Sequence, residues 1–138
     1  MASSYLSIWG PVVEQIHRYL RQQYPKEGCG ILAGHAQEIT HFFPIPNLDD
    51  SPHSFSFEPQ AYLETIRQLR EQQLEWIGVV HSHPTTEPYP SARDIANWHY
   101  PEKSYWICSL KQGHCRLSAY YIRHQQVIPV MYQIIVNR

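Results

Sequence analysis

The chain is short of several things, and each shortage excludes something. It has no run of about 18 apolar residues, so no segment reads as a transmembrane span. No Lys or Arg precedes Arg18, so the start lacks the basic end of a secretory signal. Charged residues make up 17% of the chain and net to −1, which leaves no electrostatic footprint for a nucleic acid. Low-complexity tracts and repeats of about 20–50 residues are missing. Cysteines number three, Cys29, Cys108 and Cys115, and form no CxxC. Without a signal, such an odd set is expected to be reduced thiols in the cytoplasm, not a disulfide framework. Aspartate is as rare: Asp49, Asp50 and Asp94 are all there are.

Histidine is in excess, nine of 138 residues. The excess raises metal binding, pH sensing or acid–base catalysis, and composition does not choose among them. The length fits one domain, 1–138, able to bury roughly 68% of its unfolded surface without metal or disulfide staples.

Along the chain, residues 11–23 read as a helix, with Pro11 at its start, Val13, Ile16 and Leu20 at helical spacing, and Tyr24-Pro25 as its end. Cys29–Ala33 and Ile39–Ile45 read as two strands of a hairpin. Residues 46–54 are a loop by composition, and Phe55 and Phe57, alternating with serines, fit a brief strand. Pro59 opens a second helix with Tyr62, Leu63, Ile66 and Leu69 on one face. Glu75–His81 holds the apolar WIGVV of a central strand, 84–90 is proline-broken, and Ser91–His99 is a short helix. Tyr105–Leu110, His114–Arg123 and Val127–Val136 complete the chain as strands on turns too short for crossovers. The order αβββαβαβββ implies an α/β or α+β fold: a mixed sheet, an antiparallel C-terminal meander and about three helices.

The chemistry concentrates in His81-Ser82-His83 and, seven residues on, Ser91-Ala92-Arg93-Asp94. Residues i and i+2 of a strand share a face, so both imidazoles aim at one point. Asp94 falls in the first turn of the next helix, where the proline-rich loop can bring it alongside. Two His and one carboxylate with an open fourth position is a catalytic zinc pattern, not a closed structural one. HxHx7SxxD arises by chance in roughly one in a thousand chains of this composition.

HSHPTTEPYPSARD resembles the signature of the JAMM/MPN+ metallopeptidases, H-x-H-x7-S-x-x-D. Glu27, in EGCGILAG before the first strand, matches that family's upstream glutamate, and the likeness runs from helix 11–23 to about Tyr120. The resemblance implies a single MPN/JAMM-like domain. His81, His83 and Asp94 would bind one Zn²⁺ per chain. Glu27 would serve as general base, and Ser91 would help stabilise the oxyanion. It also implies hydrolysis after the C-terminal Gly-Gly of a small ubiquitin-like protein. The compactness and the T-E-x-Y-P-S of 86–91 resemble the subgroup that releases cysteine or trailing residues from sulfur carriers, a step of cysteine biosynthesis. A deubiquitinase-like or phage-type processing isopeptidase and a catalytically silent interaction module are the alternatives. Tyr89 and the 46–54 loop are candidate walls of a channel for the Gly-Gly tail, which can add as a strand to a sheet edge.

Plainer readings stand beside these. Ser91-x-x-Asp94 is also close to a helix capping box. Glu27 by itself reads as a solvated carboxylate, so its role rests on the resemblance. His17, His35, His41, His53, His99, His114 and His124 share no ligand spacing and read as structural or surface residues. Cys29 reads as a buried, inert thiol, and Trp76, Trp98 and Trp106 as core.

Overall fold

The computed structural model describes residues 5–136; positions 1–4 and 137–138 of the expected 1–138 domain lie outside the described residues. The elements are β1 (Tyr5–Trp9), α1 (Gly10–Gln23), β2 (Cys29–His35), β3 (Glu38–Ile45), α2 (Pro59–Glu71), β4 (Glu75–His83), α3 (Ala92–Asn97), β5 (Ser104–Ser109), β6 (Arg116–Arg123) and β7 (Gln126–Ile135). The class is the expected mixture of a large mixed sheet and three helices, with β5, β6 and β7 joined as an antiparallel meander.

Two assignments change. Tyr5–Trp9 is a strand that the sequence reading left out, because five residues ahead of a proline-started helix carry too little periodicity to declare themselves. Phe55–Phe57 is not a strand: its one ladder contact is the bridge Asn47–Phe57, and its aromatic rings are used for packing. β1 also decides the sheet's shape. It pairs in parallel with β3 on one side and β7 on the other, closing the order β1-β3-β2-β4-β5-β6-β7 into a barrel. The β1–β3 seam of that barrel is short, limited to the pairs Ser7–Glu38 and Ile8–Ile39.

Local chemistry explains the joints. Ala36-Gln37 and His124-Gln125 turn their hairpins with positive φ at both central positions, the twist of a two-residue type I′ turn. α2 starts on Glu58, whose carboxylate accepts from the Gln60 and Ala61 amides ahead of Pro59's helix.

Alternation along the strands sorts two faces. One cluster takes residues from every strand, among them Leu6, Leu32, Val80, Trp106, Tyr121 and Val130, and closes over Val12, Ile16 and Leu20 of α1; this is the barrel interior. The outer face packs Ile31, Ala33 and Ile45 against Leu69 of α2, and Val79, Tyr105 and Ile107 against Ile95 next to Asp94 on α3. Strands buried on both faces read as continuous apolar runs, which is why WIGVV carries no alternation.

The cysteine expectation is half corrected. Cys29 is free and buried, its thiol donating to the Ile45 carbonyl at 3.3 Å, and burial pushes its pKa up to about 12. Cys108 and Cys115 instead form a disulfide. The tight β5–β6 connection folds back on itself and leaves their Cα atoms 5.6 Å apart, within bridging range.

Candidate metal centre

β4 runs two residues beyond its expected end and carries both histidines within the strand. His81 and His83 take the outward parity of Val79, whereas Ser82 takes the inward parity of Val80. Ser82 is thereby free for a structural task. Its Oγ accepts from the Gly28 amide at 2.8 Å, and its own amide donates to the Gly28 carbonyl at 3.0 Å. These bonds continue the antiparallel register past Cys29–His81 and lay Glu27 alongside His83. The approach to α1 is close there: a Cβ on Gly28 would stand 2.8 Å from Leu20 Cδ2 and 2.9 Å from Gln23 Cγ, so those side chains would have to shift.

The expected ligands converge. His81 Nε2 and His83 Nε2 lie 3.1 Å apart, and the Asp94 carboxylate reaches them at 3.4 and 3.1 Å. All three residues are buried. His83 Nδ1 lies 2.9 Å from the Glu87 carbonyl, which can only accept, so Nδ1 holds the proton and Nε2 keeps its lone pair toward the cluster. Ring contacts fix His81: Phe55 stacks on it at 4.5 Å and Tyr105 lies 5.1 Å away. Three donor atoms within 4.8 Å of one another, two of them imidazole nitrogens facing each other, fit a divalent cation of the zinc type.

Ser91 and Asp94 reconcile the two readings of S-x-x-D. Ser91 Oγ accepts from the Asp94 amide at 3.0 Å and Asp94 Oδ2 accepts from the Ser91 amide at 2.9 Å, a complete capping box. The same carboxylate faces the histidines, so capping aims the ligand. Burial by itself would raise the Asp94 pKa, but the imidazoles and the Ser91 amide outweigh it and hold the carboxyl well below the usual range. His81 is pushed down by its burial.

Glu27 is not the solvated carboxylate that its sequence context suggests. It is 5% exposed, and its Oε1 has no hydrogen-bond partner among the described residues. Desolvation raises its pKa to about 8, with His83 and Arg93 opposing that rise and Asp94 and Asp49 adding to it. Its backbone is tied to the 46–54 loop through its amide to the Ser51 carbonyl at 2.8 Å and its carbonyl to Asn47 Nδ2 at 3.0 Å. A buried carboxyl without a partner, beside a set of metal donors, is poised to move a proton.

Several residues of the site carried no signal in the sequence. Tyr105, in the apolar run of β5, donates its hydroxyl to Asp94 Oδ1 at 2.7 Å. Beside it opens a cleft of about 600 Å³ that has Asp94 and Tyr105 in its wall, together with Arg93 and, from the loop, Asp49 and Ser54. Aromatic rings surround it: Phe55, Phe57, Tyr62 and Trp76 follow one another at 5.9–6.0 Å. Tyr100 and Trp98 carry the circuit on to Tyr105, which returns it to Phe55. Trp76 and Trp98 are therefore cleft wall and only half-buried, against the expectation of core; Trp106 is fully buried as expected. Periodicity marks an aromatic as apolar but does not say which layer it meets. Tyr89 does not line this cleft. It is 55% exposed on the 84–90 loop, edge-on to Tyr120 at 5.6 Å.

Such a centre, three converging donors on a strand end and a helix start with a desolvated carboxyl alongside, has the parts of a metal-assisted hydrolase. The chain belongs to the family described as prokaryotic homologs of the JAB domain, whose profile matches residues 10–122. It is similar to a "Probable TtuB-protein conjugate cleaving protease" of Thermus thermophilus, 34% identical over 65% of this chain and 62% of that protein, so the match spans somewhat under two thirds of the relative. A "Desampylase" of Haloferax volcanii is 30% identical over 79% of this chain and 84% of its own length. A "CysO-cysteine peptidase" of Mycobacterium tuberculosis is 27% identical over 79% and 76%. Among solved structures, a Desulfitobacterium hafniense protein superposes with TM-score 0.87 at 28% identity, covering 96% of this chain and 94% of its own. A JAB1/MPN domain protein of Archaeoglobus fulgidus has a TM-score of 0.62 at 17% identity over 93% and 99% and shows the fold alone.

Proposed function

We propose that the chain is a zinc-dependent peptidase that hydrolyses the bond after the C-terminal Gly-Gly of a ubiquitin-like sulfur-carrier protein, releasing cysteine or trailing residues. The observation that carries this is the convergence of His81, His83 and Asp94 beside a Glu27 that is buried without a partner. The three relatives named above, each called a protease, desampylase or peptidase, support it.

His81, His83 and Asp94 would hold one zinc per chain. Bound there, zinc supplies Lewis acidity, making water a nucleophile at neutral pH and polarising a carbonyl. Glu27 takes the proton of the attacking water and returns it to the departing amine, the role open to a buried carboxyl that lies beside the metal donors without being one of them. Ser91 spends its lone pair on the Asp94 amide, leaving its hydroxyl hydrogen to donate to the carbonyl oxygen as negative charge develops. Tyr89, on the loop between His83 and Ser91, would flank the Gly-Gly tail, which has no side chains and suits a narrow approach. The reading carries a cytoplasmic location with it, where a bridge such as Cys108–Cys115 persists only if it resists the reducing pool.

The test is a mass-spectrometric assay on a Gly-Gly carrier–cysteine adduct and a Gly-Gly isopeptide, with and without chelator, alongside metal analysis. Chelator-sensitive release of the Gly-Gly-ended carrier, with one equivalent of zinc, is expected. A protein that takes up no metal at this centre, or cleaves neither substrate when loaded, is not this enzyme.

A further inference from the structure

Glu27 sits between the end of α1 and the start of β2, outside both, so neither a helix nor a sheet ladder fixes its backbone. Its Oε1 has no partner among the described residues, so no hydrogen bond holds that oxygen in place. The grip on this residue comes from segment 47–57. The Glu27 amide donates to the Ser51 carbonyl at 2.8 Å, and the Glu27 carbonyl accepts from Asn47 Nδ2 at 3.0 Å. Gly28, by contrast, is tied to β4 through Ser82.

Asn47 organises that segment. A side-chain amide offers two N–H donors and a carbonyl oxygen with two lone pairs, and here all four are used. Oδ1 accepts from the Asp49 and Ser56 amides, both at 3.0 Å. Nδ2 donates to the Ser54 carbonyl at 2.9 Å and to the Glu27 carbonyl. Three of these bonds fold the segment on itself, in the manner of an Asx turn. The fourth leaves the segment for the residue that carries the carboxyl. The same segment also bears on the metal donors. Phe55, next to Ser56, stacks on His81 at 4.5 Å, and Phe57, bridged to Asn47, packs on Tyr62 of α2. One stretch of chain therefore meets His81 with a ring and Glu27 with an amide.

We propose that Asn47 is a positioning residue for Glu27: its one outward hydrogen bond couples the placement of the proton-carrying carboxyl, relative to the metal donors, to the seating of segment 47–57. The proposal rests on the peptidase reading above and deepens it. Placement is steep in its effect, since a shift of about 1 Å can cost about 100-fold in rate.

The test compares Asn47→Asp with Asn47→Ala in the whole, zinc-loaded protein. Asp is isosteric and can still accept from the Asp49 and Ser56 amides, but has no N–H for Glu27 or Ser54. Ala loses all four bonds. Both variants should lower kcat on a Gly-Gly carrier adduct by about 10–100-fold while zinc affinity, read by chelator competition, stays at the wild-type value. Turnover is read at the plateau of each pH profile, because an added carboxylate moves the profile along the pH axis whereas misplacement lowers its height. Amide hydrogen exchange gives a readout independent of turnover. The Glu27 amide should exchange about tenfold faster in Asn47→Asp, and the Gly28 amide, held by Ser82, should keep its protection.

Wild-type kcat in Asn47→Asp overturns the proposal, whether or not Asn47→Ala is impaired, since Asn47 would then only shape the loop. A raised KM with unchanged kcat overturns it too, because the segment would serve the substrate and not the base. So does a loss of zinc affinity that matches the loss of kcat, which would route the effect through His81. If the wild-type protein cleaves no carrier, the peptidase reading falls. Faster Glu27 exchange would still uphold the coupling, and unchanged exchange would overturn it.

Discussion

The Tyr105 phenol donates to Asp94 Oδ1 at 2.7 Å while the Ser91 amide donates to Oδ2 at 2.9 Å, so both carboxylate oxygens are oriented by donors from different elements. Tyr105 is buried and packs against His81 as well. Tyr105→Phe keeps the ring and removes the donor. Zinc affinity should fall about 10–100-fold, the usual cost of losing a partner that orients a ligand. Competition with a chromophoric chelator measures it; unchanged affinity would mean the capping box orients Asp94 unaided.

Glu27 and His83 should part company under mutation. Glu27→Gln preserves size and leaves His81, His83 and Asp94 in place, so the protein should retain zinc while turnover drops by about 10²–10⁴-fold, the range of general acid–base catalysis. His83→Ala should lose both metal and activity. Metal analysis paired with the adduct assay separates the two, and a Glu27→Gln enzyme with wild-type kcat would falsify the proposed base.

Stability of the metal-free protein should depend on pH through the same glutamate. Its folded pKa, about 8, is raised by desolvation from an ordinary 4.5. Between those values the folded state binds more protons than the unfolded state, so this group's contribution is full below about pH 4.5 and is lost as pH rises through 8. Asp94, held low, works in the opposite sense, its contribution being lost only as pH falls below the ordinary aspartate range. Urea denaturation from pH 5 to about 8.5 should show Glu27→Gln losing less stability than wild type across that range. Parallel curves for the two proteins would mean that Glu27 is not desolvated as the structure places it.

Ser82 is the fastener between the ligand strand and the segment bearing Glu27. Ser82→Ala leaves the buried Gly28 amide without its acceptor, at a cost of about 1–3 kcal/mol. Chemical denaturation should register that loss. Because Glu27 adjoins Gly28, kcat should fall as well while zinc stays bound.

Tyr89 is an exposed aromatic side chain on the loop that joins His83 to Ser91. If it flanks the Gly-Gly tail, Tyr89→Ala should raise KM for Gly-Gly-tailed carriers and leave the thermal transition nearly in place. Unchanged kinetics would remove it from the channel.

The spacing of His81, His83, Ser91 and Asp94 was legible because it follows from period-two geometry on a strand end and first-turn geometry on a helix, both local rules. Helices α1 and α2 were legible through Pro11, Pro59 and their apolar stripes, and the β5–β7 meander through its short turns. Other features were not local. Tyr5–Trp9 became a strand because β3 and β7 flank it, and no window of its own sequence records those partners. Phe55 and Phe57 read as a strand by alternation, yet their rings are spent on His81 and Tyr62.

By itself, then, the sequence determined which residues converge as candidate metal donors, since their spacing is written in the chain. Only the tertiary structure decided the rest. Antiparallel pairing of β2 with β4 makes Ser82 a tether and lays Glu27 beside His83 in a desolvated place, where its pKa is raised. Packing of the 46–57 loop against α3 turns scattered aromatics into one cleft beside Asp94. The physical reason is range: ligand spacing is set within a turn or a strand, whereas desolvation and concavity are set by chain segments distant in sequence that meet only in the fold.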